Sequence, residues 1–256
     1  MKIGSMNRKA LLVLLLCALV SAFASDTKDV IKNARASYYS LKDQGLKSFT
    51  CEVTPDWRKF LESATHKSLS ADDPVLKKFE GLRFTVAIDE KGNPTVTPLM
   101  ADGSAIPPNL DEMISGFKEM ISGFYEMWTP LVLTNPFNGE QEGLTIKQEG
   151  DSFHLFGEGV NAGMFLDKDY VITKMNTSSE GSKIVLFPVF EKTAKGLLLT
   201  SVKGDINEGA QKLQADIQYR EIQGLQLPNT VAFNVVIPSQ PILIDLAFSK
   251  YQIVKK

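Results

Sequence analysis

One stretch of the sequence, 110–128, combines strong hydrophobicity with a helical spacing of its apolar residues. At about 100° per residue, its apolar side chains fall on one broad face and its polar side chains on the other. The stretch also contains a near-duplication, in which Glu-Met-Ile-Ser-Gly-Phe begins at Glu112 and again at Glu119. The spacing predicts one long amphipathic helix, with Gly116 and Gly123 one heptad apart beside its apolar face.

The two glycines suggest a use for that helix. Glycine in a helix interior is less favourable than alanine by about 1 kcal/mol, so the repeat predicts a flat place where another backbone or a ligand comes close. Two interpretations of the apolar face stay open. It either fills the core of an α+β domain, or it lines a cavity in which flexible methionine side chains adapt to an apolar ligand.

Shorter elements are predicted before this helix. They are a helix over 26–44 that Gly45 ends, a strand over 46–54, two short helices that begin near Pro55 and Pro74, and a hairpin of strands at 82–88 and 95–97. The assignments follow from the apolar spacing, from helix caps and from the turn residues between the two hairpin strands.

After Pro130, which we expect to end the long helix, the chain is predicted to be β-structure. Turn residues separate candidate strands at 144–146, 153–155, 170–172, 184–189, 197–202, 213–219, 231–237 and 242–248. Residues 212–220 alternate most cleanly, which indicates one dry sheet face. Such a face has to be covered by closure or by helices. The pattern predicts the fold class α+β: a strongly curved antiparallel β-sheet, or half-barrel, with helices covering its concave face.

The N-terminus has the layout of an export signal. Three basic residues precede an apolar run from Ala10 to Val20, and Ala22-Phe-Ala24 fits the small-x-small cleavage pattern. The run is shorter than the roughly 20 residues that a membrane-spanning helix needs. We therefore predict a signal peptide over 1–24, cleaved near Ala24-Ser25, and a single half-barrel domain over 25–256 in the periplasm. An uncleaved membrane anchor is the alternative.

Charge and cysteine usage narrow the functional classes. Without residues 1–24 the chain has 25 basic and 30 acidic residues, and no cluster of Lys and Arg, so nucleic-acid binding is not expected. Only Cys51 is left, which excludes an intramolecular disulfide. Cys51 shares the inward parity of Phe49 and Val53, and this predicts a buried, unreactive thiol.

Motifs for catalysis are missing from the sequence. The two histidines, His66 and His154, have no metal-ligand spacing. No nucleophile elbow, Walker loop or dinucleotide-binding glycine motif appears either. We therefore expect no enzyme activity, no catalytic residue, no metal and no cofactor.

Four parts of the sequence resemble the outer-membrane lipoprotein carrier and sorting superfamily, the LolA-like proteins. They are Ala34–Leu41 with Gly45–Phe49, then Leu166–Met175, Leu225–Val231 and Ile244–Ile253. The resemblance covers most of the chain after the signal. It implies a half-barrel, lidded by helices, which shields acyl chains during transit through the periplasm.

Together these observations predict an exported protein that binds or carries a lipid or another apolar ligand between the curved sheet and its helical lid. The expected partners are lipid or lipoprotein acyl chains, and an envelope or membrane protein in a transient complex. The alternative is a non-catalytic structural or interaction module of the cell envelope with a fully packed core. The predicted apolar lining consists of Met113, Phe117, Met120, Ile121, Phe124, Met127 and Trp128 of the helix with Phe49, Phe84, Val86 and Ile217 of the sheet.

Overall fold

The computed structural model describes residues 27–138, 144–157, 162–179, 182–237 and 240–256. The predicted signal peptide and its cleavage site lie outside these residues. The domain boundaries given above therefore stay a prediction.

Within the described residues the chain forms four α-helices and twelve β-strands. The helices are α1 (Thr27–Ser37), α2 (Trp57–Thr65), α3 (Pro74–Phe79) and α4 (Asp111–Trp128). The strands are β1 (Leu46–Pro55), β2 (Leu82–Ile88), β3 (Pro94–Met100), β4 (Leu144–Glu149), β5 (Ser152–Gly157), β6 (Ala162–Leu166), β7 (Ile172–Ser179), β8 (Ser182–Thr193), β9 (Gly196–Ile206), β10 (Gln211–Ile222), β11 (Leu225–Ile237) and β12 (Gln240–Lys255). A short 3₁₀ turn, Pro108–Leu110, precedes α4.

All these strands lie in one antiparallel sheet, in the order β3-β2-β1-β12-β11-β10-β9-β8-β7-β6-β5-β4. Strands β4 to β12 follow one another as a meander. Strand β12 then pairs with β1, where Phe49 lies opposite Ile253. The hairpin of β2 and β3 extends the sheet beyond β1, so β3 and β4 are its two edges and the sheet is not closed.

The sheet bends around the C-terminal end of α4. Trp128 contacts β1 through Phe49, with ring centroids 6.5 Å apart, and its indole Nε1 donates a hydrogen bond of 3.0 Å to the hydroxyl of Tyr219 in β10. In a flat sheet, strands three positions apart are separated by about 14 Å. One side chain reaches both strands because their inner faces turn toward each other. The predicted fold class, a curved antiparallel sheet covered by helices, is confirmed.

The first helix is shorter than the predicted span of 26–44. It ends at Ser37, and Tyr38 then pairs with Leu197 of β9. Gly196 makes this pairing possible, because a Cβ added there would lie 2.7 Å from the backbone nitrogen of Tyr39. A long-range backbone contact therefore replaces the last turns of the predicted helix.

The prediction that the long helix ends near Pro130 is confirmed, although the backbone beyond it keeps a helical form. Helix α4 ends at Trp128, but the chain continues as a π-helical turn over Thr129–Leu133. Proline is tolerated in a first helical turn, where its missing N–H needs no partner. The turn buries Leu131, Val132 and Leu133 under the sheet.

Of the two uses suggested for Gly116 and Gly123, close contact with another backbone of the described chain is contradicted, and contact with a ligand stays a prediction. Both lie on the exposed side of α4, and a Cβ added to either would have no heavy atom within 4 Å. Among the described residues, no other backbone comes close to them. The packing of the fold therefore gives no reason for glycine at these two positions.

Candidate functional site

A cavity of about 360 Å³ lies against the part of the concave sheet face that α4 does not cover. Strands β5 to β8 form its floor, and α1 and the segment after the π-helical turn form its walls. Its lining residues are Ile31, Pro136, Phe137, Leu155, Phe156, Gly157, Ala162, Gly163, Met164, Met175, Asn176, Thr177, Ile184 and Leu186.

Two rows of residues cross the floor of the cavity from strand to strand. In the deeper row, Leu155 pairs with Met164, Met164 with Met175, and Met175 with Leu186. In the row nearer the hairpin ends, Ala162 pairs with Thr177 and Thr177 with Ile184. Side chains two residues apart in a strand share one face of a sheet. The strand register therefore gathers the lining of the cavity from four separate segments.

Hydrogen bonds hold the two walls together. The Arg35 guanidinium of α1 donates from Nε to the carbonyl oxygen of Phe137 at 3.1 Å. The buried side chain of Asn135 donates from Nδ2 to the Arg35 carbonyl oxygen at 2.8 Å, and its Oδ1 accepts from the backbone N–H of Phe137 at 3.0 Å. These bonds fix Phe137 beside Ile31, so both apolar side chains face the cavity from a defined position.

Tyr38 ties the end of α1 to the beginning of β7. Its hydroxyl accepts a hydrogen bond from the backbone N–H of Ile172 at 2.6 Å and donates one to the carbonyl oxygen of Tyr170 at 3.1 Å. Burial raises the pKa of this hydroxyl above its ordinary value. The phenol therefore stays neutral and keeps both hydrogen bonds at physiological pH.

The position of α1 explains why a cavity is left at this place. Helix α4 has 18 residues and packs over the other part of the concave face, whereas α1 has 11 residues. Among the described residues of α1, Ile31 alone lines the cavity. Helix α1 therefore covers one edge of this floor and leaves the rest open.

Among the described residues, the lining of the cavity contains no charged side chain. Its polar residues, Asn176 and Thr177, lie at the end of β7 nearest the hairpin to β8, and Thr177 is the one that shares the inward parity of Met175. The Asn176 side chain lies on the outer face, where its Oδ1 is buried near Gly163 and has no hydrogen-bond partner among the described residues. The cavity therefore suits hydrocarbon over most of its length, with the Thr177 hydroxyl at one end.

The eleven residues predicted to line a ligand site occupy a different part of the concave face, and the cavity lining contains none of them. Phe49, Phe84, Val86, Phe117, Ile121, Phe124, Trp128 and Ile217 are buried, and Met113, Met120 and Met127 are partly buried at the edge of that core. Phe117 lies parallel to Phe84 with ring centroids 6.1 Å apart, and Phe124 contacts Phe248 at 6.0 Å. The structure brings these side chains together as packed core, and their role in ligand binding stays a prediction.

Sequence reasoning missed the residues of the cavity for an identifiable reason. Strand β6 was not predicted, because Ala162-Gly-Met-Phe-Leu166 has little alternation and contains a glycine. Its Gly163 is required by packing, since an added Cβ would lie 2.8 Å from Asn176 Oδ1 and 2.9 Å from His154 Nε2. Without β6, the sequence offered no partner for Met175 and no floor for a cavity.

The predicted burial of the Cys51 thiol is confirmed. The side chain is 2% exposed and lies 3.5 Å from the Tyr125 hydroxyl. Burial raises the pKa of the thiol to about 11, which keeps it protonated and poorly nucleophilic.

His154 lies on the outer face of the sheet, and its ring is stacked on that of Phe165 with centroids 4.1 Å apart. Across the described ranges, no three His, Cys, Asp or Glu side chains are arranged to hold a metal ion.

Comparisons with known proteins give a likeness to a solved structure. No protein-family model and no curated protein matches the chain. Among solved structures, the fold is similar to a LolA superfamily protein from Nitrosomonas europaea, at 10% sequence identity and a TM-score of 0.31, over 90% of this chain and 94% of that one. This is the superfamily that the sequence resembles. At this TM-score no ligand and no residue role is transferred. In the described part of the chain, no helix is both long and apolar enough to cross a membrane.

Proposed function

We propose that this protein binds the hydrocarbon part of a lipid, without catalysis, in the cavity over β5 to β8. The observation that carries the proposal is a cavity of about 360 Å³ whose described lining residues are all uncharged. Pockets for small molecules have volumes of roughly 300–1,000 Å³ and mostly apolar walls. An engineered apolar cavity of about 150 Å³ already binds benzene.

The energetics favour a hydrocarbon ligand. Each methylene group that moves from water into an apolar site contributes about 0.8 kcal/mol. The methionine pair Met164 and Met175 lies in the middle of the floor, and thioether side chains adjust to ligands of varied shape. The proposed site therefore differs in position from the apolar lining predicted from the sequence, although the type of ligand is the same.

Mass spectrometry of organic extracts tests the proposal. The protein is purified without detergent from the cells that produce it naturally, and the extract is compared with that of a Met175→Trp variant, in which the indole fills the cavity. We expect lipid in near-stoichiometric amount with the natural protein and little with the folded variant. Equal lipid in both samples, or none in either, would contradict the proposed site.

Export to the periplasm is part of the proposal. It is supported by the basic and apolar pattern of residues 1–24. The intact mass of the protein recovered from a periplasmic fraction tests it, and the expected N-terminal residue is Ser25. A mass that includes Met1–Ala24 would favour the uncleaved anchor instead.

A structural or interaction module of the envelope is the second candidate function. The packed face of α4 favours it, because that face encloses aromatic side chains and the cavity over β5 to β8 is lined by other residues. A lipid-free extract from well-folded natural protein would favour this function over the carrier.

A further inference from the structure

We infer that the ligand has a single hydrocarbon chain, held in the cavity over β5 to β8 with its headgroup outside at the hairpin ends of β7 and β8. This inference rests on the proposed function and makes it narrower. It sets single-chain amphiphiles, such as fatty acids and lysolipids, apart from lipids and lipopeptides with two or three chains.

The first argument is the space that α4 leaves. The side chains of α4 and the inner faces of β1, β2, β11 and β12 fill one part of the concave face with aromatic rings, such as the pair of Phe124 and Phe233 at 6.0 Å. The remaining cavity of about 360 Å³ is near the lower end of the roughly 300–1,000 Å³ range of small-molecule pockets. A space of this size suits one hydrocarbon chain better than two or three.

The second argument is a partition that prevents the cavity from widening toward α4. Tyr38 makes ring contacts with Phe137 at 5.4 Å and with Phe190 of β8 at 5.0 Å. The backbone next to it is held by a hydrogen bond of 3.0 Å from the Tyr39 N–H to the Leu197 carbonyl oxygen. Because Tyr38 is also hydrogen-bonded to the beginning of β7, the three rings form an anchored wall.

The third argument concerns the headgroup. Burying an ionised group without a partner is strongly unfavourable, and the part of the lining that the structure describes supplies no charge to pair with one. The polar side chain of the lining with the inward parity of Met175 is that of Thr177, which lies at one end of the cavity and is exposed. The chain of the ligand therefore points inward from that end, and affinity depends on the chain rather than on the charge of the headgroup.

Competition against a fluorescent single-chain fatty acid, cis-parinaric acid, tests the inference. The competitors are hexadecanoic acid, hexadecanoyl-lysophosphatidylcholine, dihexadecanoyl-phosphatidylglycerol and a trihexadecanoyl-cysteinyl peptide, each below its aggregation concentration. We expect the two single-chain competitors to have similar affinities, and the two-chain and three-chain competitors to bind at least about tenfold more weakly, which corresponds to 1.4 kcal/mol. Equal or tighter binding of the multi-chain competitors would overturn the inference while leaving the proposed function intact.

Neighbouring positions on opposite faces of β7 provide matched controls. Met175→Trp fills the cavity and should abolish binding of the fatty acid, whereas Lys174→Trp is on the outer face and should not change it. If Met175→Trp does not fold, Thr177→Phe at the polar end and Ser178→Phe on the outer face replace this pair. No binding of cis-parinaric acid by the natural protein would reject the proposed function together with the inference. Binding that survives both inner substitutions would reject this cavity as the site.

Discussion

The concave face of the sheet has two parts that are both apolar but differ in how tightly their side chains are packed. Over β1 to β3 and β10 to β12, the side chains of α4 and the sheet interlock as aromatic core, and Trp128 is completely buried. Over β5 to β8, the floor is also apolar, but the covering helix is short and a cavity remains. We call these the packed part and the open part.

The difference shows that an apolar sheet face predicts burial but does not determine whether the space above it is filled. Both parts satisfy the rule that one face of an antiparallel sheet is dry. In the packed part, large rings reach from one layer to the other, as Phe117 and Phe84 do. In the open part, Met164 and Met175 border a cavity, and Ile31 is the described residue of α1 that lines it. The size and number of the covering side chains, rather than hydropathy, separate core from cavity.

The largest expected effect on the free energy of unfolding comes from a substitution in the packed part. Phe124→Ala should lower the free energy of unfolding by about 3–5 kcal/mol, because it removes a ring that is 3% exposed and leaves a cavity. Urea denaturation measures this loss. Fatty-acid binding by the folded fraction should be unchanged. A loss well below about 1 kcal/mol would mean that α4 does not pack against the sheet as described.

The next largest expected effect is an increase in the free energy of unfolding. Replacing Gly116 and Gly123 together by Ala should raise the free energy of unfolding by up to about 2 kcal/mol, because alanine favours the helix by about 1 kcal/mol per position and both added methyl groups meet open space. Gly196→Ala is the control, since its φ of +120° and its contact with Tyr39 make a Cβ unacceptable. Thermal unfolding of the two variants should shift in opposite directions. A destabilised double variant would indicate that something else occupies the helix surface.

A truncation in the open part should have a smaller effect on stability. Met164→Ala removes a partly buried side chain that already borders a cavity, and we expect a loss of about 1 kcal/mol. The same variant should bind cis-parinaric acid more weakly, because the chain loses its contacts with the thioether. Urea denaturation and a binding titration on one sample measure both effects. A loss as large as that of Phe124→Ala would show that the two parts are equally packed.

The smallest effect concerns a carboxylate on the outer face of the packed part. Glu52 accepts hydrogen bonds from Arg83 at 2.7 Å and Lys250 at 2.9 Å. Burial works to raise its pKa, but these two cations lower it overall. The resulting stabilisation is present above the ordinary glutamate pKa of about 4.3 and is lost as the pH falls through the lower, folded value.

Glu52→Gln should therefore lower the free energy of unfolding by less than about 1 kcal/mol at neutral pH, because Arg83 and Lys250 are partly exposed. The difference from the natural protein should shrink as the pH is lowered. Thermal unfolding from pH 7 down to acid measures it. Glu149→Gln at the far edge of the open part, where the carboxylate is fully exposed, is the control. A difference for Glu52→Gln that grows toward acid would contradict the sign of this pKa shift.

Much of the fold is predictable from periodicity, because apolar spacing is a local property. The alternation around Leu213–Tyr219 predicts β10, and the helical spacing of 110–128 predicts α4 within one residue of its observed ends. Where tertiary contacts compete with local preference, the prediction fails. Helix α1 ends early because Tyr38 pairs with Leu197. Strand β6 forms because β5 and β7 supply hydrogen-bonding partners on both sides, although the β6 sequence itself does not indicate a strand.

The sequence by itself determined which residues are apolar, where most elements lie and that a dry sheet face needs helices above it. Only the tertiary structure decided which part of that face is filled and which is open. The physical reason is that filling depends on how far each helix reaches and on which strands lie side by side. Leu155, Met164, Met175 and Leu186 become one cavity floor only when the register of β5 to β8 places them in a row.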